Sequence, residues 1–134
     1  MIGGLVVTHG ALGQELARVA NQVLGPVEGL DVLSNRSLGM KELTEAVRAW
    51  MREQGAAGAA GVILFSDDCG GSCANACQLA ADAGPPAAVL TGVNLAMLLG
   101  FATWRDEMTL PELARRLVGK GREAITILGP AVPV

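Results

Sequence analysis

Short apolar runs alternate along the chain with longer stretches in which apolar residues recur every three or four positions, so the sequence predicts strands and helices in turn. Residues 2–8 are a continuous apolar run that ends in His9-Gly10, the pattern of a strand buried on both faces. Leu12, Leu16, Val19, Val23 and Leu24 then fall at helical spacing, with Gln14, Glu15, Arg18 and Gln22 between them, until Gly25-Pro26 stops the helix. Residues 30–33 read as a shorter strand, and Met40, Leu43, Val47, Trp50 and Met51 as a second helix closing near Gly55. After a Gly/Ala-rich connection, 61–65 is a third buried strand that runs into Ser66-Asp67-Asp68-Cys69-Gly70-Gly71-Ser72. A small-residue helix over 73–83, a strand over 87–90 behind Pro85-Pro86, and a helix over 94–103 follow. Thr109, with Pro111 and Glu112 behind it, caps a helix reaching about Gly121, and 124–128 reads as a last short strand. Parallel strands need crossovers, so this alternation with short connections predicts an α/β fold. The expected architecture is a three-layer, open, mainly parallel sheet, doubly wound, with helices on both faces. No internal repeat or linker interrupts it, and residues 1–134 read as a single domain.

Composition narrows the function classes. With 51% apolar and 17% charged residues, the 134-residue chain can bury a core and is not a disordered segment. Its four aromatic residues are scattered, and a net charge of −3 gives no basic surface, which argues against nucleic acid. Trp50 and the methionines read as packing residues. No apolar stretch approaches the roughly 18 residues of a membrane span, and Thr8-His9 interrupts the N-terminal run before it resembles a signal peptide. Three cysteines crowded at 69, 73 and 77 make a poor disulfide framework, which favours a cytoplasmic location. Their spacing of four places them on one side of a helix, but no second cysteine pair or extra histidine completes a usual metal site, so small buried thiols are expected and no metal.

Two polar clusters lie at predicted strand ends, where open parallel sheets gather ligands. The first contains His9, the single histidine of the chain. Taken alone it fits equally a histidine that terminates a strand and bonds a backbone carbonyl. The second is Asp67 to Ser72, in which adjacent glycines and a following helix N-terminus suit a phosphoryl group, with Ser72 as a helix cap or phosphate contact. Alone, that loop is more often a tight turn with an ordinary cap. If the first and third strands are neighbours, the clusters combine. Asp67 then fixes the tautomer of His9, the free ring nitrogen becomes a nucleophile toward phosphorus, and Gly70, Gly71 and Ser72 supply donors for the phosphoryl oxygens. A receiver-type magnesium site lacks acidic partners after the first strand, and no Walker motif is present.

Leu5 to Gly10, Gly61 to Asp67 with Gly70 to Ala76, and Gly92 to Leu98, together with Gly121-Arg122-Glu123, resemble the enzyme IIA domain of the mannose class (mannose, fructose, sorbose) of the sugar phosphotransferase system, in the same order through nearly the whole chain. The resemblance implies a cytoplasmic phosphocarrier without a cofactor. It would accept a phosphoryl group from phospho-HPr and pass it to an enzyme IIB, and through it to a membrane sugar permease. It also implies a homodimer, with a C-terminal strand exchanged between subunits in some members. His9 falls on the family's phosphorylated histidine and Asp67 on the carboxylate that orients it. Gly71 and Ser72 match the adjoining loop, and Asn94 the turn after the fourth strand, in a supporting role. The chain departs from the family at Cys69, where an aromatic residue is common, and in its short Pro-rich tail 129–134. It also lacks a fused IIB domain, so a IIB partner is expected as a separate polypeptide. A regulatory phosphoprotein of the same fold, without a transport role, is the alternative these residues allow; a flavodoxin-like domain binding a phosphate-bearing metabolite is a third.

Overall fold

The computed structural model describes residues 1–132. Four strands and five helices follow one another as β1 (Ile2–Thr8), α1 (Leu12–Leu24), β2 (Leu30–Ser34), α2 (Met40–Ala56), β3 (Gly61–Ser66), α3 (Ser72–Ala80), β4 (Ala87–Leu90), α4 (Leu95–Trp104) and α5 (Leu110–Glu123). The sheet runs β2-β1-β3-β4 with every pair parallel. It is an open, doubly wound α/β sheet of three layers, as the alternation of elements predicts.

The central strands explain their own apolar runs. Every residue of β1 and β3 is buried, because each strand has a neighbour on both edges and helices on both faces. Successive side chains point to opposite faces. Ile2, Val6, Ile63 and Phe65 pack with Ala20 of α1, Leu98 and Phe101 of α4, and Leu113 and Leu117 of α5. Leu5, Val7, Val62 and Leu64 pack on the other face with Leu43, Val47 and Met51 of α2 and with Cys73 and Cys77 of α3. The rings of Phe65 and Phe101 meet edge to face, centroids 5.7 Å apart at 86°. Strand β2 sits at a sheet edge and is half exposed, which is why its apolar signal is weaker. Trp50 is buried as expected, and its indole N–H donates to Asp31 Oδ2 at 2.7 Å, tying α2 to that edge strand.

Three sequence expectations change. The strand expected over 124–128 does not form: Ala124 is the C-cap of α5, and Ile125, Ile127 and Leu128 are exposed. Among the described residues the segment pairs with no strand, and β-prone composition forms a strand only as part of a ladder. Helix α3 is shorter than 73–83, ending at Ala80 before a Gly-Pro-rich turn. The three cysteines do not share a helix face, since Cys69 is exposed in the loop before α3 while Cys73 and Cys77 are buried on it. Of the Pro-rich tail, residues 133 and 134 lie outside the described residues.

A buried cation closes the far end of the sheet. Arg105, just past α4, is 8% exposed, donates from Nε to the Ile2 carbonyl at 2.8 Å and lies over the Phe101 ring, 5.7 Å from its centroid. Replacing it leaves that carbonyl without its charged donor and removes the packing of its stem. Arg105→Ala should therefore lower the unfolding free energy by about 2 kcal/mol, read as a lower urea midpoint with an unchanged slope.

Candidate functional site

The chain leaves β1 toward β2 on one side and later returns past β1 to lay β3 on the other, so the strand order reverses between β1 and β3. Such a reversal point, beyond the carboxyl ends of the strands, is where open α/β sheets bind ligands. Val7 pairs with Ser66 in the β1–β3 ladder, so His9 and Asp67 emerge side by side. The backbone N–H of His9 donates to Asp67 Oδ2 at 2.9 Å, and its ring Nδ1 lies 2.7 Å from the same oxygen.

Each loop is held from both sides. Thr8 Oγ1 accepts the Gly13 N–H at 2.7 Å, setting the start of α1 against the end of β1. Asn35, just after β2, donates its N–H to the Thr8 carbonyl at 3.0 Å and accepts the Gly10 N–H on Oδ1 at 3.1 Å. Asn35 was not foreseen from the sequence; its one signal there is an Asn directly after a strand, where such side chains bond neighbouring backbone. On the β3 side, the Ser66 hydroxyl donates to the Asp68 carbonyl at 3.2 Å and the Ser66 carbonyl accepts the Val93 N–H at 3.0 Å. Gly70 turns the chain with φ +87°, a conformation side chains rarely adopt, and a Cβ on Gly71 would collide with the Asp68 carboxylate.

Gly71 is the N-cap of α3 and makes no side-chain bond, so Ser72 is the first helical residue rather than the cap. Its hydroxyl is thereby free to face the histidine, with Oγ 3.4 Å from His9 Nε2. The first intrahelical bond runs from Asn75 N–H to the Gly71 carbonyl. The amides of Ser72, Cys73 and Ala74 therefore have no partner within the helix, and they form its electropositive end. Cys73 Sγ approaches His9 Nδ1 to 3.8 Å from below.

His9, Asp67, Gly70, Gly71 and Ser72 thus converge. Asn94 does not join them by hydrogen bond: its Oδ1 caps α4 by accepting the Met97 N–H at 3.1 Å, and its Nδ2 donates to the Gly121 carbonyl at 3.1 Å, joining α4 to α5.

The charges are coupled. The hydrogen bond to Asp67 raises the His9 pKa above its ordinary 6.5 against partial desolvation, with further help from the charges of Asp67 and Asp68. Burial works to raise Asp67, but the amide and ring N–H groups of His9 outweigh it and hold the carboxyl below the usual range. An ionised carboxylate only accepts, so the proton of the neutral ring sits on Nδ1 and the lone pair on Nε2. Burial pushes the Cys73 thiol up to about 11, so beside this pair it is neutral. With its side chain 48% exposed, His9 presents Nε2 to solvent beside a hydroxyl and a helix N-terminus, an arrangement suited to attack on an anionic centre.

Comparisons with known proteins agree with this reading of the fold. The family model EIIA-man, described as PTS system fructose IIA component, matches residues 3–118. No curated protein matches the sequence. Among solved structures, the phosphotransferase system component EIIA from Streptococcus agalactiae superposes with a TM-score of 0.85 at 18% identity, over 95% of this chain and 97% of that one. The mannose/sorbose specific IIA subunit of the phosphotransferase system from Enterococcus faecalis gives 0.81 at 22% identity, over 98% of each chain. The PTS IIA protein associated with the fucose utilization operon of Streptococcus pneumoniae gives 0.80 at 18%, over 94% of this chain and 92% of that one.

The pair fixes a pH window. The stabilisation from His9, whose pKa is raised, is fully present below 6.5 and is lost as pH rises through its folded value. That from Asp67, whose pKa is lowered, is present above 3.8 and is lost as pH falls through its folded value. An NMR titration of the His9 ring should therefore show a midpoint above 6.5 in the native chain and a return toward 6.5 in Asp67→Asn. Equal midpoints in the two chains would contradict the coupling.

Proposed function

Since the chain belongs to the EIIA-man family of PTS IIA components, we propose that it is the phosphocarrier in which His9 accepts a phosphoryl group from phospho-HPr and hands it to an enzyme IIB that serves a membrane sugar permease. The observation that carries this reading is the 2.7 Å contact of His9 Nδ1 with Asp67, which leaves Nε2 as the open nucleophile.

In this reading the Nε2 lone pair attacks the phosphorus of the donor phosphohistidine. The bond from Nε2 to phosphorus forms as the donor's N–P bond breaks, and that bond's electron pair stays on the donor's nitrogen. Since the phosphoryl group meanwhile carries its charge on its peripheral oxygens, positioning and N–H donors do most of the work. The Ser72 hydroxyl and the α3 amides beside it fit that role, and Gly70 and Gly71 let the phosphoryl group approach the backbone. Once phosphorylated, the His9 ring holds Nδ1–H and a positive charge, which Asp67 offsets without taking the proton. The same steps in reverse deliver the group to enzyme IIB. Attack needs the neutral ring, so the rate should fall as pH drops through the raised His9 pKa.

The carrier is a single cytoplasmic domain over residues 1–134 in this reading. It acts as a homodimer, to which the exposed Ile125, lining the same shallow cavity as Leu90 of the open edge strand β4, offers apolar surface. Asn94 supports the site indirectly, through the α4–α5 joint.

Incubation with phosphoenolpyruvate, enzyme I and HPr tests the assignment. The native chain should take up acid-labile label and His9→Ala none, while Asp67→Ala should label about tenfold to hundredfold more slowly with an unchanged circular dichroism spectrum. Label that persists in His9→Ala would strip His9 of its part as the acceptor, and an unaltered rate in Asp67→Ala would strip Asp67 of its part in orienting the ring.

A further inference from the structure

The three cysteines alone lack the partners for a metal site, but the fold brings two other donors to one of them. His9 Nδ1, a carboxylate oxygen of Asp67 and Cys73 Sγ lie within 4.8 Å of one another, although the three residues come from β1, β3 and α3 regions far apart in the chain. Imidazole nitrogen, carboxylate oxygen and thiolate sulfur are the donor types of zinc sites, and three protein donors leave a fourth position open. A second observation points the same way. Both N–H groups of His9 converge on Asp67 Oδ2, while Asp67 Oδ1 is, among the described residues, a buried side-chain oxygen with no hydrogen-bond partner. The carboxylate thus has acceptor capacity that the hydrogen-bond network does not use. Asp68 adds further negative potential at His9 and Cys73.

We propose that His9 Nδ1, Asp67 and Cys73 Sγ form an inhibitory Zn²⁺ site whose occupation blocks His9 from accepting a phosphoryl group. Tetrahedral zinc with ordinary bond lengths holds nitrogen and oxygen ligands about 3.3 Å apart and nitrogen and sulfur about 3.5 Å apart. The observed separations are 2.7 Å for His9 Nδ1 to Asp67 Oδ2 and 3.8 Å for His9 Nδ1 to Cys73 Sγ, and all three donor atoms lie within 4.8 Å of one another, so side-chain shifts of about an ångström bring them onto one ion. Binding displaces the thiol proton of Cys73 to solvent. It also moves the ring proton of His9 from Nδ1 to Nε2, because a neutral imidazole has one N–H and one lone pair. Zinc and phosphorus therefore compete for the same lone pair, although they bond opposite nitrogens. The blocking step rests on the phosphocarrier reading; the metal site itself does not.

The test separates the two. Co²⁺ as a spectroscopic probe should give thiolate-to-metal absorption in the near ultraviolet with the native chain and with Cys69→Ser, and none with Cys73→Ala. Zn²⁺ should displace it, with affinity reduced more than about tenfold in Cys73→Ala. In the native chain alone, so that nothing depends on how a variant folds, Zn²⁺ should shift the His9 ring signals at one equivalent. Calorimetry above the His9 pKa should register the release of about one proton per zinc. Absorption that survives in Cys73→Ala or disappears in Cys69→Ser, or a native chain whose ring signals ignore zinc, overturns the site. If the site binds but the zinc-loaded native chain labels from HPr as fast as the zinc-free chain, the competition is wrong. A chain that binds zinc yet never labels, with or without it, upholds the site and counts against the phosphocarrier reading instead.

Discussion

Two N–H groups of one residue, the amide and the ring of His9, meet a single oxygen of Asp67, and the rest of the site is arranged around that double contact. It ties the backbone and the side chain of His9 to the same oxygen. Neither partner could reach the other if β1 and β3 were not neighbours in the sheet. The parallel pairing of two buried strands is thus the structural precondition for one polarised imidazole, and the apolar content of those strands is what keeps them paired.

The supports around the pair differ in kind. Asn35 and Thr8 hold the β1 turn through neutral hydrogen bonds in partly or fully buried positions. Gly70 and Gly71 act on the other loop by geometry alone, one by its left-handed φ and one by lacking a Cβ where the Asp68 carboxylate stands. Only after those choices does Ser72 fall at the first turn of α3, within reach of Nε2. The neutral thiol of Cys73 under the ring belongs to the same layer, and it makes the floor of the site chemically different from its rim.

Much of this was legible in the sequence, and the failures have identifiable causes. Strands β1 and β3 announced themselves as uninterrupted apolar runs because both of their faces are covered, and the Thr109–Glu112 capping box marks α5 from four residues. His9 and Asp67 were legible as a pair because each follows such a strand. Residues 124–128 misled because β-prone composition reports what a segment can do within a ladder, and among the described residues this segment joins none. Of the two readings of Ser72, the helix cap failed because a Gly-Gly-Ser run does not say which of its residues ends the turn. Asn35 and the Cys73–His9 approach were beyond reach, since both depend on which loops the sheet order brings together. Arg105 was hidden for the opposite reason: a lone arginine after a helix ordinarily means solvent, and only its distant acceptor, Ile2, accounts for its burial.

That last contact spans 103 positions, from the second residue of the chain to the end of α4. Strand β1 therefore waits for a guanidinium made 103 positions later, and it gains its inner neighbour only after β3 has been synthesised. During translation the segment from β1 to α2 has an apolar ribbon with one edge and one end unsecured. The far end of the sheet is consequently secured only once α4 has been made, because the contact that closes it is the most distant in sequence of those that hold β1.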